Sequence, residues 1–287
     1  MPIEKTCEMS FWDLSKNMIL DGRKITKEIE QKLESIVKQT GVEPSLAIFY
    51  VGTHKAIEQF IKMKVRFGEA VGAQVTVYRF PEDEDEKTIL HTIERAREKH
   101  DGMIVQLPVP SQLSSKVFID AVPKEKDVDV LRTDTFEAFT KNETSFLPGV
   151  VGAIDELARG YGISFQEKNI VIIGKGRLVG IPVLAWLTRQ GVNPVVLDAT
   201  SDLSKDLLSA DIIITGMGMP HKIKKEMVKE GVIIFDAGTS EEGGVLLGDV
   251  DPSVADIAKF FSPVPGGVGP LTVATLFQNL FKAKKLI

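Results

Sequence analysis

The sequence predicts an α/β protein made of two α/β domains with a cleft between them. Three observations carry this: a first run of alternating strand and helix patterns, a second run after residue 148, and a glycine loop within the second. Over 22–38, Ile25, Ile29, Leu33 and Ile36 mark one helical face, and 45–51 (SLAIFYV) reads as a buried strand. A helix over about 56–71, a strand over 74–80, a helical pattern over 86–99 and a strand over 102–106 follow. That β–α–β–α–β order favours a parallel sheet with helices packed on it. The acidic run Pro81-Glu82-Asp83-Glu84-Asp85-Glu86 suits a helix N-terminus, where the dipole favours negative charge.

After Leu107-Pro108-Val109-Pro110 the chain reads as polar and irregular until Phe146. A helix over 152–159 then leads to a strand over 169–173, the loop Gly174-Lys175-Gly176-Arg177-Leu178-Val179-Gly180, and a helix reaching Leu187. Strands over 193–197, 211–215 and 231–236 come next, and an apolar helix over 270–282 closes the chain. The run Ile170-Val171-Ile172-Ile173 suits a strand buried on both faces. The glycine spacing G-x-G-x-x-x-G is one residue longer than the common dinucleotide fingerprint. It still supplies a tight turn, close backbone approach to a pyrophosphate and room for helix–sheet packing. With the strand before it and the helix after it, the loop predicts a Rossmann-like, doubly wound dinucleotide-binding domain.

Asp198, ending the next strand pattern, is placed to accept from a ribose 2′-OH and to repel a 2′-phosphate, which leans towards NAD. Its alternative is a turn residue. Lys175 argues for NADP, because a cation there can pair a 2′-phosphate. The cofactor-binding candidates are Gly174, Lys175, Gly176, Arg177, Gly180 and Asp198.

Bulk properties narrow the classes. With 287 residues, 43% apolar and 26% charged, the chain has ample material for a core. A net charge of −5 gives no global attraction for nucleic acid. No apolar stretch is long enough to span a bilayer, so no membrane association is expected. Residues 1–16 carry Glu4, Glu8 and Asp13 and do not read as a signal peptide. The single cysteine, Cys7, excludes an intrachain disulfide and fits a reducing compartment. His54, His91, His100 and His221 lack metal spacing, and no metal is expected.

One helix carries an anomaly. Ile57, Phe60, Lys64, Phe67 and Val71 share a face, so a lysine interrupts an apolar stripe. Desolvation lowers an amine's pKa and makes it a usable proton acceptor; the bland alternative is a stem that packs while the ammonium reaches water. Gln106 closes a strand pattern, and Asp127 and Asp129 lie in Lys126-Asp127-Val128-Asp129. Parallel-strand ends are where open α/β sheets place ligand-binding groups, although each of these residues alone also suits a turn.

Taken together, the segments from Ile19 to Asn279 resemble the bifunctional methylenetetrahydrofolate dehydrogenase/methenyltetrahydrofolate cyclohydrolase family. The resemblance rests on Pro263-Val264-Pro265-Gly266-Gly267-Val268-Gly269-Pro270-Leu271-Thr272 and on Asp101-Gly102-Met103-Ile104-Val105-Gln106-Leu107-Pro108-Val109-Pro110. Lys126-Asp127-Val128-Asp129, Val179-Gly180-Ile181-Pro182 and Gly248-Asp249-Val250-Asp251 add to it. It implies oxidation of 5,10-methylenetetrahydrofolate by NADP or NAD, then hydrolysis to 10-formyltetrahydrofolate, in a cytoplasmic homodimer serving one-carbon metabolism. It makes Lys64 the proton-handling residue, Gln106 its orienting partner and Asp129 a pterin ligand, with Phe60, Pro265, Gly266 and Gly267 binding substrate. It also implies a folate-binding domain over 1–148, joined by the helix 271–287, and a dinucleotide domain over 149–270.

This chain departs from the family pattern near both sites. Phe60 stands for a tyrosine and Ile57 for a serine, so two hydroxyls are missing. Pro148-Gly149-Val150-Val151 replaces proline-cysteine-threonine-proline, and Lys175-Gly176 replaces arginine-serine. Leu197-Asp198-Ala199 replaces cysteine-histidine-serine. Two other functions remain compatible with the residues: a folate- or nucleotide-binding protein with weak or no turnover, and a dehydrogenase of another small metabolite.

Overall fold

The computed structural model describes residues 18–198, 200–201 and 203–287, so Cys7, the segment 1–16 and Ala199 lie outside the described residues. The first half contains β1 (Met18–Ile19), α1 (Gly22–Thr40), β2 (Ser45–Val51), α2 (Lys55–Val71), β3 (Gln74–Phe80), α3 (Glu86–Ala96) and β4 (Gly102–Val105). Then come α4 (Ser115–Ala121), α5 (Thr133–Thr140), α6 (Gly149–Tyr161), β5 (Ile170–Ile173), α7 (Gly180–Arg189) and β6 (Val195–Leu197). The remainder is α8 (Ser204–Ser209), β7 (Ile212–Thr215), β8 (Ile233–Asp236), β9 (Ser240–Glu242), β10 (Val245–Leu247), β11 (Phe260–Phe261) and α9 (Val268–Ala283).

The helices start and stop where local chemistry dictates. Asp21 caps α1 by accepting from the Lys24 amide at 3.0 Å, and Gly41 ends it at φ 67°. A left-handed residue closes a helix at little cost only when it lacks a Cβ.

Two parallel sheets form the framework. The first has the order β3-β2-β4, and the second β1-β11-β8-β7-β5-β6, while β9 and β10 make a separate antiparallel pair. β2, β4, β5, β7 and β8 are buried nearly end to end, which is why their sequences are continuous apolar runs rather than alternating ones. Within the second sheet the chain steps from β5 to β6 on one side, then crosses back to β7 on the other. The carboxyl ends of β5 and β7 therefore flank a topological switch point, the usual position of a ligand crevice in open α/β sheets.

α9 binds the two halves together. It packs on α1, α2 and α6, and its Phe277 ring lies 5.1 Å from that of Phe67. A Cβ added at Gly152 would sit 2.3 Å from Thr275 Cγ2, so α6 and α9 approach more closely than any other residue allows. Asn279, 1% exposed, donates to Val128 O at 2.9 Å and Leu147 O at 2.7 Å, and accepts from the Leu147 amide at 3.1 Å. One buried amide thus holds both the 127–130 loop and the start of the second half.

Some sequence expectations change. The stretch 107–146, read as irregular, contains α4 and α5; at seven and eight residues they are too short to show a helical period. Gln106, Asn169, Asn193, Asp211 and Gly231 lie outside the strands expected to include them. β1, β9, β10 and β11, of two or three residues each, carry no periodicity to read. No helix among the described residues is long and apolar enough to cross a membrane. No group of three His, Cys, Asp or Glu side chains suited to a metal ion occurs among them.

Candidate active site

The anomalous lysine has a specific partner. Ile57, Phe67 and Val71 of its helix face are buried and Phe60 is half-buried, so the stripe packs inward and carries Lys64 with it. Lys64 Nζ donates to Gln106 Oε1 at 2.8 Å. Gln106 Nε2 donates in turn to Leu107 O at 2.8 Å, which fixes the amide with its oxygen towards the lysine. The Gln106 amide, bonded to Phe49 O at 2.9 Å, anchors the residue just beyond β4.

Asp129 completes the electrostatics. Burial pushes the Lys64 pKa down, and attraction to Asp129 opposes that shift. Burial likewise raises the Asp129 carboxyl, and Lys64 opposes it. The two form an opposite-charge couple in a desolvated setting, where each favours the charged form of the other against the effect of burial.

Asp127, read beside Asp129, does different work. It is 3% exposed and accepts from the amides of Leu131 at 3.3 Å and Arg132 at 2.8 Å. Burial pushes its carboxyl up to about 6. It is therefore a turn-forming residue that shapes the loop carrying Asp129. Val130, buried in the same loop, has φ 57°. A β-branched residue rarely adopts that conformation, which costs on the order of 1–3 kcal/mol.

Pro265, Gly266 and Gly267 precede α9. Gly266 has φ 121° and its carbonyl accepts from the Gly22 amide at 2.9 Å, while the Gly267 amide bonds Pro263 O at 2.8 Å. A Cβ at Gly22 would meet Gly267 O at 1.8 Å, so this loop lies directly on the start of α1. The backbone bonds given above run to Gly22 and within the loop itself rather than to Lys64 or Gln106.

The glycine loop fits a dinucleotide on its own geometry. Gly174 has φ 104°, and a Cβ at Gly180 would meet Gly174 O at 1.8 Å. Gly176, in contrast, faces open space. The N-terminus of α7 has no side-chain cap, but the Ile181 amide bonds Gly176 O at 3.1 Å and Pro182 has no N–H, so a pyrophosphate there would rely on the remaining amides of the loop and of Gly180. Gly176 and Gly180 would approach that group through backbone contacts, while Gly174, whose amide bonds Leu197 O at 2.8 Å, would make the turn beside it.

The polar residues of the loop are differently placed than the sequence suggests. Lys175 Nζ lies 3.0 Å from Asp198 Oδ2, so the cation expected to seek a 2′-phosphate is paired with the carboxylate expected to repel it. Asp198 Oδ1 also accepts from the Thr200 amide at 3.0 Å, Thr200 Oγ1 at 2.5 Å and Ser201 Oγ at 3.2 Å. These donors, Thr200 first and Lys175 next, hold its carboxyl well below the usual range. These contacts match the turn-residue reading of Asp198, with Oδ2 taken by Lys175. Arg177 reaches in another direction, its guanidinium donating to Leu131 O beside the Asp129 loop. Nothing in the local sequence signals that contact, which spans 46 residues.

Two family models match the chain. Residues 20–129 match the tetrahydrofolate dehydrogenase/cyclohydrolase catalytic domain, and residues 148–287 match the NAD(P)-binding domain of the same family. The bifunctional protein FolD of Aliarcobacter butzleri is 34% identical, over 94% of this chain and 97% of its own length. The crystal structure of the bifunctional enzyme FolD from Campylobacter jejuni superposes with a TM-score of 0.89 at 32% identity, covering 93% of this chain and 98% of that one. The methylenetetrahydrofolate dehydrogenase-cyclohydrolase of Trypanosoma brucei, solved with NADP and an inhibitor, gives a TM-score of 0.88 at 26% identity, covering 94% and 98%. With both halves matched in order and relatives aligned nearly end to end, the chain belongs to the tetrahydrofolate dehydrogenase/cyclohydrolase family.

Proposed function

We propose that the chain oxidises 5,10-methylenetetrahydrofolate to the 5,10-methenyl form with NAD(P)+ and hydrolyses that product to 10-formyltetrahydrofolate. The observation that carries this reading is the hydrogen-bonded Lys64–Gln106 pair, electrostatically coupled to Asp129, in the same chain as a dinucleotide loop. The dinucleotide, when bound, supplies the hydride acceptor. This chain's residues contribute alignment to that step: the glycine loop fixes the cofactor's phosphates and the Asp129 loop fixes the pterin.

The hydrolytic step needs proton transfer, and Lys64 supplies it. Burial favours the neutral amine, which takes a proton as water attacks the bridging methenyl carbon. Lys64 then returns a proton to N5 as the C–N5 bond opens, and loss of the hydroxyl proton leaves the formyl group on N10. Gln106 keeps the amine aimed, and Asp129 balances the charge when the amine is protonated. Phe60 can stack on a substrate ring but cannot move a proton, so the burden rests on Lys64.

The finer features follow the same reading. The folate site is assigned to 1–148 with the returning helix 271–287, and the cofactor site to 149–270. Asp198 favours NAD, because its carboxylate can exchange Lys175 for ribose hydroxyls but not for a 2′-phosphate. We assign a cytoplasmic homodimer, checked by light scattering. Growth of methenyltetrahydrofolate absorbance on mixing protein, methylenetetrahydrofolate and either dinucleotide tests the main claim; no signal with NAD+ or NADP+ would overturn it.

A further inference from the structure

Two fully buried carboxylates sit behind the crevice without entering the chemistry above. Asp249 is 0% exposed and Asp236 1%. Asp249 Oδ2 accepts from Thr215 Oγ1 at 2.7 Å and from the Met217 amide at 2.7 Å, and its Oδ1 accepts from the Met219 amide at 2.8 Å. Asp236 holds the backbone around Asp249 itself: Oδ1 accepts from the Gly238 and Asp249 amides at 2.9 and 3.3 Å, and Oδ2 from Val250 at 3.0 Å. Room for this arrangement is made by glycines. A Cβ at Gly238 would meet Asp249 Cγ at 2.2 Å, and one at Gly248 would meet Asp236 Oδ2 at 2.2 Å.

The segment gripped by Asp249, 216–219, directly follows β7, while the glycine loop follows β5. β5 and β7 are the neighbours that flank the switch point. The two loops also touch: a Cβ at Gly174 would lie 2.7 Å from Gly216 O, and one at Gly216 would lie 2.6 Å from Val179 Cβ. Segment 216–219 thus lies against the glycine loop at the switch point, where open α/β sheets place a ligand crevice. A loop with two of its amides on one carboxylate loses little further freedom when a ligand settles against it.

We propose that Asp249 is a positioning residue for the dinucleotide, holding the 216–219 segment in the position the cofactor requires, with Thr215 as its accessory donor. This rests on the NAD(P)-dependent reading above. An Asp249→Asn change keeps the size but replaces one acceptor oxygen with a donor facing backbone amides or the Thr215 hydroxyl.

The test is calorimetric titration of the whole chain with NAD+ and with NADP+, beside methenyltetrahydrofolate hydrolysis, which consumes no dinucleotide. Asp249→Asn is expected to raise the dinucleotide Kd about tenfold or more, by loss of a buried charge-assisted hydrogen bond, while hydrolysis stays within about twofold. An unchanged Kd in the folded variant, or equal loss of binding and hydrolysis, would overturn the proposal. Where Asp249→Asn does not fold, Thr215→Val and Thr215→Ser decide. A Kd raised in the valine variant and restored by serine supports the role; a valine variant that binds like the unaltered protein refutes it. Failure of the unaltered protein to bind either dinucleotide would instead bring down the cofactor reading, and the role of Asp249 with it.

Discussion

The Lys64 site and the glycine loop make opposite use of their residues. At the first, three polar side chains come together, an amine, an amide and a carboxylate, and burial shifts the pKa values of the amine and the carboxylate. At the second, shape comes from Gly174 and Gly180, whose added Cβ atoms would collide with backbone 2.7 and 1.8 Å away. The difference teaches that the two half-reactions have separable weak points. On the function proposed, proton transfer would depend on one side chain's identity, whereas hydride transfer would depend on backbone clearance and alignment.

The sharpest way to break that contrast is Lys64→Met. Supplied with methenyltetrahydrofolate, this variant should hydrolyse it at least about 10²–10⁴-fold more slowly, the usual contribution of a positioned acid–base group. Its dehydrogenase rate should fall by far less; parallel losses would show that both halves share the lysine.

Gly180→Ala tests the other region. The added methyl meets Gly174 O, so the loop must deform, and dehydrogenase kcat/KM should drop by about 10²-fold, as for a misplacement of about 1 Å. Hydrolysis of methenyltetrahydrofolate should survive. A drop in hydrolysis alone would contradict the division.

A pH profile sharpens the electrostatic side. If neutral Lys64 is the acceptor, hydrolysis rises with pH and levels off through an inflection below the ordinary lysine value of 10.5, because burial lowers its pKa. Asp129 favours the ammonium, so Asp129→Asn should move the inflection lower still. An inflection that stays in place would mean the two residues are not coupled.

The smallest effect is expected at Asp198. Because its carboxylate is exposed and shares its charge with Lys175, Asp198→Ser should shift the NADP/NAD ratio of kcat/KM towards NADP by about tenfold or less. No shift in that ratio would confine Asp198 to its turn with Thr200 and Ser201.

Legibility in the sequence follows the same contrast. Lys64 stood out because it broke an apolar stripe, and the glycine loop because strand, spacing and helix agreed. Both signals are local, and periodicity displays local order. Gln106 could be marked as a strand-end residue, yet its bond to Lys64 spans 42 residues and arises from the register of β4 against β2. The pairing of Lys175 with Asp198, the reach of Arg177 to Leu131 and the grip of Asp249 on 217–219 are likewise tertiary. Val130 gave no warning at all, since nothing in a valine predicts φ 57°. α4 and α5 were invisible for a different reason: each buries only two or three residues, too few to establish a period.

The central claim is tested most directly by a single-turnover time course of methenyltetrahydrofolate absorbance, starting from methylenetetrahydrofolate and NAD+ or NADP+. The unaltered protein should produce a transient that rises with reduced dinucleotide and decays as 10-formyltetrahydrofolate forms. In Lys64→Met the same rise should persist without enzymatic decay. Absence of the rise in the unaltered protein, or decay in the variant at the unaltered rate, would contradict the account.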